Sequence, residues 1–171
     1  MSGRLAGEVA VVTGSTSGLG REIARLFATE QGRVIVTGRN AERGTAVVDA
    51  IARTGGIAQF VAADLTNDDE REGLVEATVE RFGALTVLVN NAVAKTSGPG
   101  SGKVTEISPE AFEEVLAVNL VAPAAMSRLA IPPMLASGHG SIVNISSRAA
   151  ELGTPGTAAY TASKGGLNAL A

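Results

Sequence analysis

Five short runs of apolar residues, rich in Val and Ile, alternate along the chain with longer segments that carry an amphipathic pattern. The runs are Val9–Thr13, Arg33–Thr37, Ile57–Ala62, Leu85–Val89 and Ser141–Ser146. Each run is apolar at nearly every position, which is typical of strands buried on both faces of a parallel sheet. Because repeated strand–helix units need right-handed crossovers, the pattern predicts an α/β fold with a doubly wound parallel sheet.

The segments between the first four runs predict three helices. The first has an apolar face formed by Leu19, Ile23, Leu26 and Phe27. Asn40 begins a second helix near Ala41–Arg53, and Thr66 begins a third near Asn67–Phe82. These helices are expected to cover the faces of the sheet.

A fourth helix is predicted over Pro109–Ala136. Its start is marked by Ser108, which can cap a helix, and by Pro109, which suits the first helical position. Pro123 and the pair Pro132 and Pro133 lie inside the segment. Since proline removes a backbone donor, we expect this helix to kink and to end raggedly.

Composition favours one globular domain over residues 1–171, with 45% hydrophobic and 18% charged residues. The net charge is −3 without a basic block, so the sequence predicts no nucleic-acid or membrane partner. No Cys is present and His139 is the only His, which excludes Cys-based zinc sites and His clusters. His139 is expected in a solvated loop. The N-terminus does not resemble a signal peptide and no run approaches transmembrane length, so the expected location is the cytoplasm.

A glycine-rich turn, Thr13–Gly20, joins the first strand to the first helix. Gly14 permits a tight turn, Gly18 lets a pyrophosphate approach the backbone, and Gly20 lets the helix pack closely on the strand. The N–H groups at the helix start can face phosphates. The turn lacks the GK[ST] ending of a P-loop, which argues against ATP or GTP. A purely structural glycine turn is the alternative at this point.

Tyr160 and Lys164 are four residues apart on a predicted helix, so they share one helix face. An ammonium beside a phenol favours loss of the phenolic proton, which suits exchange of a proton with an alcohol or carbonyl oxygen. The preceding strand ends in hydroxyls, over Ser141–Ser147. Taken alone, the Tyr–Lys pair is more typical of a solvated helix.

Together these segments resemble the short-chain dehydrogenase/reductase family. The turn matches its TGxxxGxG signature, and the family's serine, thirteen residues before the tyrosine, corresponds to Ser147. Its asparagine on the preceding long helix corresponds to Asn119. The neighbouring Ser146 is the alternative to Ser147, and alternation along a strand would point the two to opposite sides.

The resemblance implies a role for each of the four residues. Tyr160 would be the general acid in reduction and the general base in oxidation, and Lys164 would hold the nicotinamide ribose. Ser147 would hydrogen-bond the substrate oxygen. Asn119 would keep a water in the proton path. An alternative for Asn119 is a helix residue whose amide satisfies a buried backbone group, and the two roles can coexist.

The resemblance also implies further cofactor contacts after the third and fourth strands. Asp64 would hydrogen-bond the adenine with Leu65 packed beside the ring, although Asp64 could also be an acid that precedes a helix. Asn91 and Ala92 belong to the family's NNAG motif, in which Val93 here replaces the glycine. The predicted cofactor-binding residues are Gly14, Ser15, Thr16, Ser17, Gly18, Leu19, Gly20, Arg39, Asp64, Leu65, Asn91, Ala92, Tyr160 and Lys164.

The second strand ends in Gly38 and Arg39. NAD-selective members carry an acid where Gly38 stands, to bind the ribose 2′-hydroxyl, whereas the guanidinium of Arg39 can bind a 2′-phosphate. The sequence therefore predicts NADP(H) as the preferred cofactor, with NAD(H) possible. A solvated Arg39 is the alternative.

The family fold is a Rossmann-type sheet that continues with two further strands, whereas this chain ends within the helix that carries Lys164. We therefore expect a fragment, incomplete at its C-terminus, whose fifth strand is an edge. The leading hypothesis is an NADP(H)-dependent oxidoreductase of the class acting on CH–OH groups, which interconverts a small-molecule ketone and secondary alcohol by hydride transfer and is similar to 3-oxoacyl-(acyl carrier protein) reductases. The full-length parent would be a homodimer or homotetramer. The alternative is a non-catalytic dinucleotide-binding module or an inactive fragment.

Overall fold

The computed structural model describes residues 3–94, 102–153 and 155–170. It divides into two compact units. The sheet unit comprises the chain up to Asn91 together with Met126–Val143, and the helical unit comprises Ala92–Ala125 and the chain from Asn144 onward. A single domain over residues 1–171 stays a prediction.

A five-stranded sheet, in the order β3-β2-β1-β4-β5, confirms the predicted α/β class. Its strands are β1 Val9–Val12, β2 Arg33–Gly38, β3 Ile57–Ala62, β4 Val87–Asn90 and β5 Ser141–Asn144. β1 pairs in parallel with β2 and with β4, and β2 pairs in parallel with β3. Since β1 lies in the middle although it comes first in the chain, the order reverses beside it, as in doubly wound folds.

The five strands are not equally buried. The expectation that all are covered on both faces is wrong for β3 and β5, whereas the predicted position of the fifth strand at an edge of the sheet is confirmed. Every residue of β1 and β4 is buried, whereas exposed and half-buried residues alternate along much of β3 and throughout β5. Both lie at the edges of the described sheet. Ile57 on β3 and Val143 on β5 are accordingly exposed.

Three helices lie wholly within the sheet unit: α1 Gly18–Thr29, α2 Ala41–Ala52 and α3 Asp68–Phe82. In α1 the buried residues are Gly20, Ala24 and Ala28. Leu19 and Leu26 are 58% and 53% exposed, so the predicted apolar face of this helix is wrong for both. Small side chains allow a closer approach of the helix than a row of leucines would, and this places the small residues inward.

Asparagine side chains cap both α2 and α3. Asn40 Oδ1 accepts a hydrogen bond from Arg43 N at 2.8 Å, which confirms the predicted start of α2. In α3 the cap is Asn67, whose Oδ1 accepts from Glu70 N at 3.2 Å, so the predicted start at Thr66 is wrong by one residue. Thr66 is engaged instead with the carboxylate of Asp64.

The fourth predicted helix comprises α4 Pro109–Leu116, a π-helical turn over Ala117–Val121, and α5 Ala122–Ala136. Ser108 caps it as predicted, accepting from Ala111 N at 3.2 Å. The distortion falls at the π turn, just before Pro123, which has no N–H to donate to the carbonyl four residues back.

The end of α5 is ordered, and the expectation of a ragged end is wrong. Pro132 and Pro133 lie inside the helix. Ser137 Oγ donates to Pro133 O at 2.9 Å, and Gly138 then takes a left-handed conformation with φ of 78°. A hydroxyl and a glycine therefore terminate this helix.

Within the described residues, one helix is long and apolar enough to cross a membrane by length and composition alone. It is Pro109–Ala136, 28 residues with a mean hydropathy of 1.5 in its most apolar window, of which 33% is buried. The expectation that no segment approaches transmembrane length is therefore wrong. Core helices of soluble proteins meet the same criterion, so this finding by itself does not indicate a membrane.

Gly44 and Gly73 form a matched pair for a stability test, because both lie inside helices of the sheet unit. A Cβ at position 44 would lie 2.1 Å from Phe60 Cδ2, whereas a Cβ at position 73 would have nothing within 4 Å. We expect Gly73→Ala to raise the free energy of unfolding by about 1 kcal/mol. Gly44→Ala should lower it by about 1–3 kcal/mol, because Phe60 must move. Urea unfolding of both variants tests this, and a Gly44→Ala chain as stable as Gly73→Ala would contradict the helix–strand packing.

Candidate active site

The glycine-rich turn has the backbone that the sequence predicts. Gly14 and Gly18 have φ of 65° and 54°, in the left-handed region that favours glycine. Gly20 is required for space, because a Cβ there would lie 2.4 Å from Asn91 Nδ2 and 2.7 Å from Gly14 O. Each glycine of the motif therefore has its own physical reason.

Ser15 anchors this turn from below. Its Oγ donates to Val12 O at 2.6 Å and accepts from Thr37 N at 3.0 Å, while its own N–H donates to Thr37 O at 3.0 Å. Ser15 is fully buried. Its side chain therefore holds the turn against β2, and its contact with a cofactor stays a prediction.

Asn91 ties the turn to the end of β4. Its Nδ2 donates to Thr13 O at 2.8 Å, and its N–H donates to Thr13 Oγ1 at 2.9 Å. Val93, which replaces the glycine of the related motif, is half exposed. Among described non-glycine residues only Gln31 has positive φ, so Val93 is accommodated without left-handed strain.

No side chain caps the N-terminal end of α1. Ser17 precedes the helix in an extended conformation and makes no side-chain capping bond. Ser17, Gly18 and Leu19 are all exposed. The first N–H groups of a helix have no partner within it and attract negative charge, so this end of α1 is suited to a phosphate.

Arg39 and Asp64 lie together beyond the ends of β2 and β3. Arg39 Nη1 is 3.6 Å from Asp64 Oδ2, and the Arg39 side chain is 70% exposed, so this ion pair contributes little stability. Asp64 Oδ1 accepts from Thr66 N at 3.0 Å and from Thr66 Oγ1 at 2.8 Å. These hydrogen bonds, with a smaller contribution from Arg39, hold the pKa of Asp64 below its ordinary value. Leu65 beside it is buried.

In the helical unit, α6 Ala158–Leu170 carries both Tyr160 and Lys164. Lys164 is 1% exposed, and its Nζ lies 5.9 Å from the centroid of the Tyr160 ring. The same Nζ donates to Ile145 O at 2.6 Å. Burial lowers the pKa of Lys164, while the carbonyl and the ring face offset part of that cost. The predicted Tyr–Lys pair is therefore buried rather than solvated at its lysine.

Ser147 follows β5 in an extended conformation and caps a 3₁₀ turn over Arg148–Ala150. Its Oγ accepts from Ala149 N at 3.1 Å. Its own proton has no acceptor among the residues that the structure describes, so the hydroxyl is free to donate. Ser146 differs, because its Oγ is buried and has no hydrogen-bond partner among the described residues.

Asn119 lies in the π-helical turn and is fully buried. Its Oδ1 accepts from Ala94 N at 2.8 Å, and its Nδ2 donates to Ser163 Oγ at 3.0 Å. Ser163 Oγ in turn donates to Tyr160 O at 2.7 Å. The side chain of Asn119 thus satisfies a buried backbone group, the structural alternative drawn from the sequence. Its role in holding a water stays a prediction.

Ser163, which bonds to Asn119 and to Tyr160 O, is a residue of this site that the sequence motifs did not indicate. Its only signal was its position directly before Lys164 on the buried side of the helix, where Ala159 and Leu167 are also buried. In the sequence, a serine at this position is typical of any helix. Its hydrogen bond with Asn119 is visible only in the structure.

His139 lies just before β5 and is exposed, as expected for a loop. It is not unpaired, however, since its Nε2 lies 3.1 Å from Glu8 Oε2. No group of three or more potential metal ligands occurs within residues 3–94, 102–153 and 155–170.

Comparison with known proteins assigns these motifs to one family. Residues 8–171 match the short chain dehydrogenase family. The chain is 39% identical over 170 residues to a 2,5-dichloro-2,5-cyclohexadiene-1,4-diol dehydrogenase of Sphingobium indicum, covering 99% of this chain and 66% of that protein. It is 37% identical to an uncharacterized oxidoreductase of Thermotoga maritima, covering 96% of this chain and 63% of the relative. The chain therefore spans about two thirds of the length of these relatives.

A solved structure shows the same fold. A metagenomic short-chain oxidoreductase, crystallised in complex with NADP, superposes with a TM-score of 0.89 at 40% identity, covering 97% of this chain and 73% of that one. With the glycine-rich turn and the Tyr160–Lys164 helix in place, the chain belongs to the short-chain dehydrogenase/reductase family.

Proposed function

We propose that this chain is the cofactor-binding and catalytic part of an NADP(H)-dependent oxidoreductase that interconverts a ketone and a secondary alcohol. The observation that carries the proposal is the buried Lys164 ammonium, held by Ile145 O and close to the ring of Tyr160. Membership of the family and the relative crystallised with NADP support it.

The sheet unit fits the phosphate-bearing end of a dinucleotide. Gly14 and Gly18 leave the backbone of the turn without side chains beside the uncapped start of α1. The pyrophosphate would lie there, against the free N–H groups. Arg39 would bind the 2′-phosphate of NADP in place of its weak, exposed pairing with Asp64. Asp64, which stays ionised, would accept a hydrogen bond from the adenine amino group.

The helical unit supplies the proton chemistry. Tyr160 would donate the proton of its Oη to the carbonyl oxygen in reduction and accept it in oxidation. Lys164 would hold the ribose hydroxyls, and Ser147 would donate its free proton to the substrate oxygen. The nicotinamide, when bound, supplies or accepts the hydride.

The proposal names a substrate class and no single substrate. Relatives carry names that refer to chlorinated cyclohexadiene diols and, for a protein of Mediterraneibacter gnavus that is 39% identical and of which the chain covers 59%, to a 3beta-hydroxysteroid. All of these are cyclic secondary alcohols. The similarity to 3-oxoacyl-(acyl carrier protein) reductases stays a prediction, as do a cytoplasmic location and a dimeric or tetrameric parent.

The first test removes the proton donor. We expect Tyr160→Phe to lower kcat by at least about a hundredfold across a panel of cyclic and acyclic ketones, because general acid catalysis contributes about 10²–10⁴. Turnover is followed by NADPH absorbance, and NADPH affinity by its fluorescence. Any loss of NADPH affinity should be much smaller than the loss of kcat, since the ring of Phe keeps the packing.

Thr161→Val is the matched control, because it removes a neighbouring hydroxyl that bonds to Thr157 at the start of the same helix. It should leave kcat within about twofold. Equal turnover by wild type and Tyr160→Phe would refute the assignment of Tyr160. A wild type that binds NADPH without reducing any ketone would favour the dinucleotide-binding module instead.

The second test concerns cofactor preference. We expect Arg39→Asp to lower the ratio of NADP to NAD affinity by about ten- to a hundredfold, because a charge-assisted hydrogen bond is lost and replaced by repulsion. Titration calorimetry with both nucleotides measures the ratio. Arg43→Asp, at an exposed position early in α2, changes the net charge equally and should alter the ratio less than about threefold. An unchanged ratio in Arg39→Asp would exclude Arg39 from the phosphate site.

A further inference from the structure

Gly38, the last residue of β2, has no room for a side chain. A Cβ at this position would lie 2.9 Å from Thr16 Cγ2 and 3.3 Å from Thr16 Oγ1. The first distance is shorter than protein interiors tolerate, so both branches of Thr16 limit the space above Gly38. The φ of Gly38 is not in the left-handed region, so space rather than backbone conformation requires the glycine here.

The backbones of the two residues are fixed by their neighbours. Ser15 N donates to Thr37 O, and Thr37 N donates to Ser15 Oγ, each at 3.0 Å, so the residues before Thr16 and before Gly38 are locked together. Ala63 N also donates to Gly38 O at 3.4 Å, from the end of β3. A side chain at position 38 must therefore displace the side chain of Thr16, because the backbone cannot separate without breaking buried hydrogen bonds.

Position 38 is the one that distinguishes the two nicotinamide cofactors. In dinucleotide folds an acid about 20 residues after the glycine-rich turn accepts hydrogen bonds from the ribose 2′-hydroxyl of NAD. Gly38 lies 20 residues after Gly18 and directly before Arg39. The acidic side chain of an NAD-selective site would place its Cβ in the space that Thr16 fills.

We infer that Thr16 is a second determinant of cofactor selectivity, acting by excluding an acidic side chain from position 38. The inference rests on the proposed NADP(H) preference, to which it adds a residue that acts through volume where Arg39 acts through charge. An acid introduced at position 38 is effective only if Thr16 is also changed.

A double-mutant cycle tests the coupling between the two positions. Thr16→Ala removes both branches and keeps only the Cβ, which lies at an ordinary 3.7 Å from a Cβ at position 38. The affinity for NAD is measured by calorimetry for the wild type, T16A, G38D and T16A/G38D. We expect G38D to raise NAD affinity about tenfold more in the T16A background than beside Thr16, because overpacking is relieved. An equal gain in both backgrounds would overturn the inference.

Gly38→Ala supplies a control that isolates volume from charge and needs no cofactor. Beside Thr16 it should lower Tm by at least about 3 °C more than it does in the T16A background. Equal losses of Tm would also overturn the inference. If G38D fails to fold beside Thr16 but folds in T16A/G38D, the steric conflict is supported.

The proposed function is tested separately by the nucleotide preference of the wild type. A wild type that binds NADP and NAD equally would refute the preference assigned to Arg39. The coupling between positions 16 and 38 would remain measurable in NAD affinity and in Tm.

Discussion

The reciprocal hydrogen bonds between Ser15 and Thr37 fix the glycine-rich turn to the end of β2, and the dinucleotide end of the site depends on them. A buried hydroxyl that lost these partners would cost about 1–3 kcal/mol, so Ser15 is confined to this arrangement. With the turn held from below, its next residues are free to face solvent, and the start of α1 keeps its N–H groups uncapped. Rigidity on the buried side of the turn thus allows an open anion site on the exposed side.

In the helical unit, too, buried polar side chains fix the segments that carry the proposed site. Asn119 is fully buried, and its amide is satisfied by Ala94 N on one side and by Ser163 on the other. Ser163 passes the connection to the carbonyl of Tyr160. The π-helical turn that holds Asn119 is therefore fastened to the helix that carries the proposed acid. π-Helical turns frequently occur at functional sites. Here the turn places the side-chain amide of Asn119 between Ala94 and Ser163 and bonds to both.

Much of this could be predicted from the sequence, because periodicity and glycine patterns record local requirements. The five strands and the caps by Asn40 and Ser108 depend on neighbouring residues only. The glycine spacing of the turn is also visible in the sequence, but its contacts with Thr37 and Asn91 are not. The errors arose where packing between elements decides. Leu19 and Leu26 look like a buried face, but the close approach of α1 selects Gly20, Ala24 and Ala28 instead. The contact between Asn119 and Ser163 spans 44 residues and could not be seen in either local pattern.

Lys164 shows how the family's spacing follows from one contact. Its ammonium is buried, which lowers its pKa, and a lysine in that position is sustained only where a carbonyl and an aromatic face replace the lost water. Ile145 O and the ring of Tyr160 are those groups. Since Ile145 lies two residues before Ser147, one short extended segment carries both the acceptor for the lysine and the hydroxyl proposed to bind substrate. The distance along the chain from Tyr160 to Lys164 is constrained, because an insertion between them within α6 would rotate the ammonium away from Ile145 O.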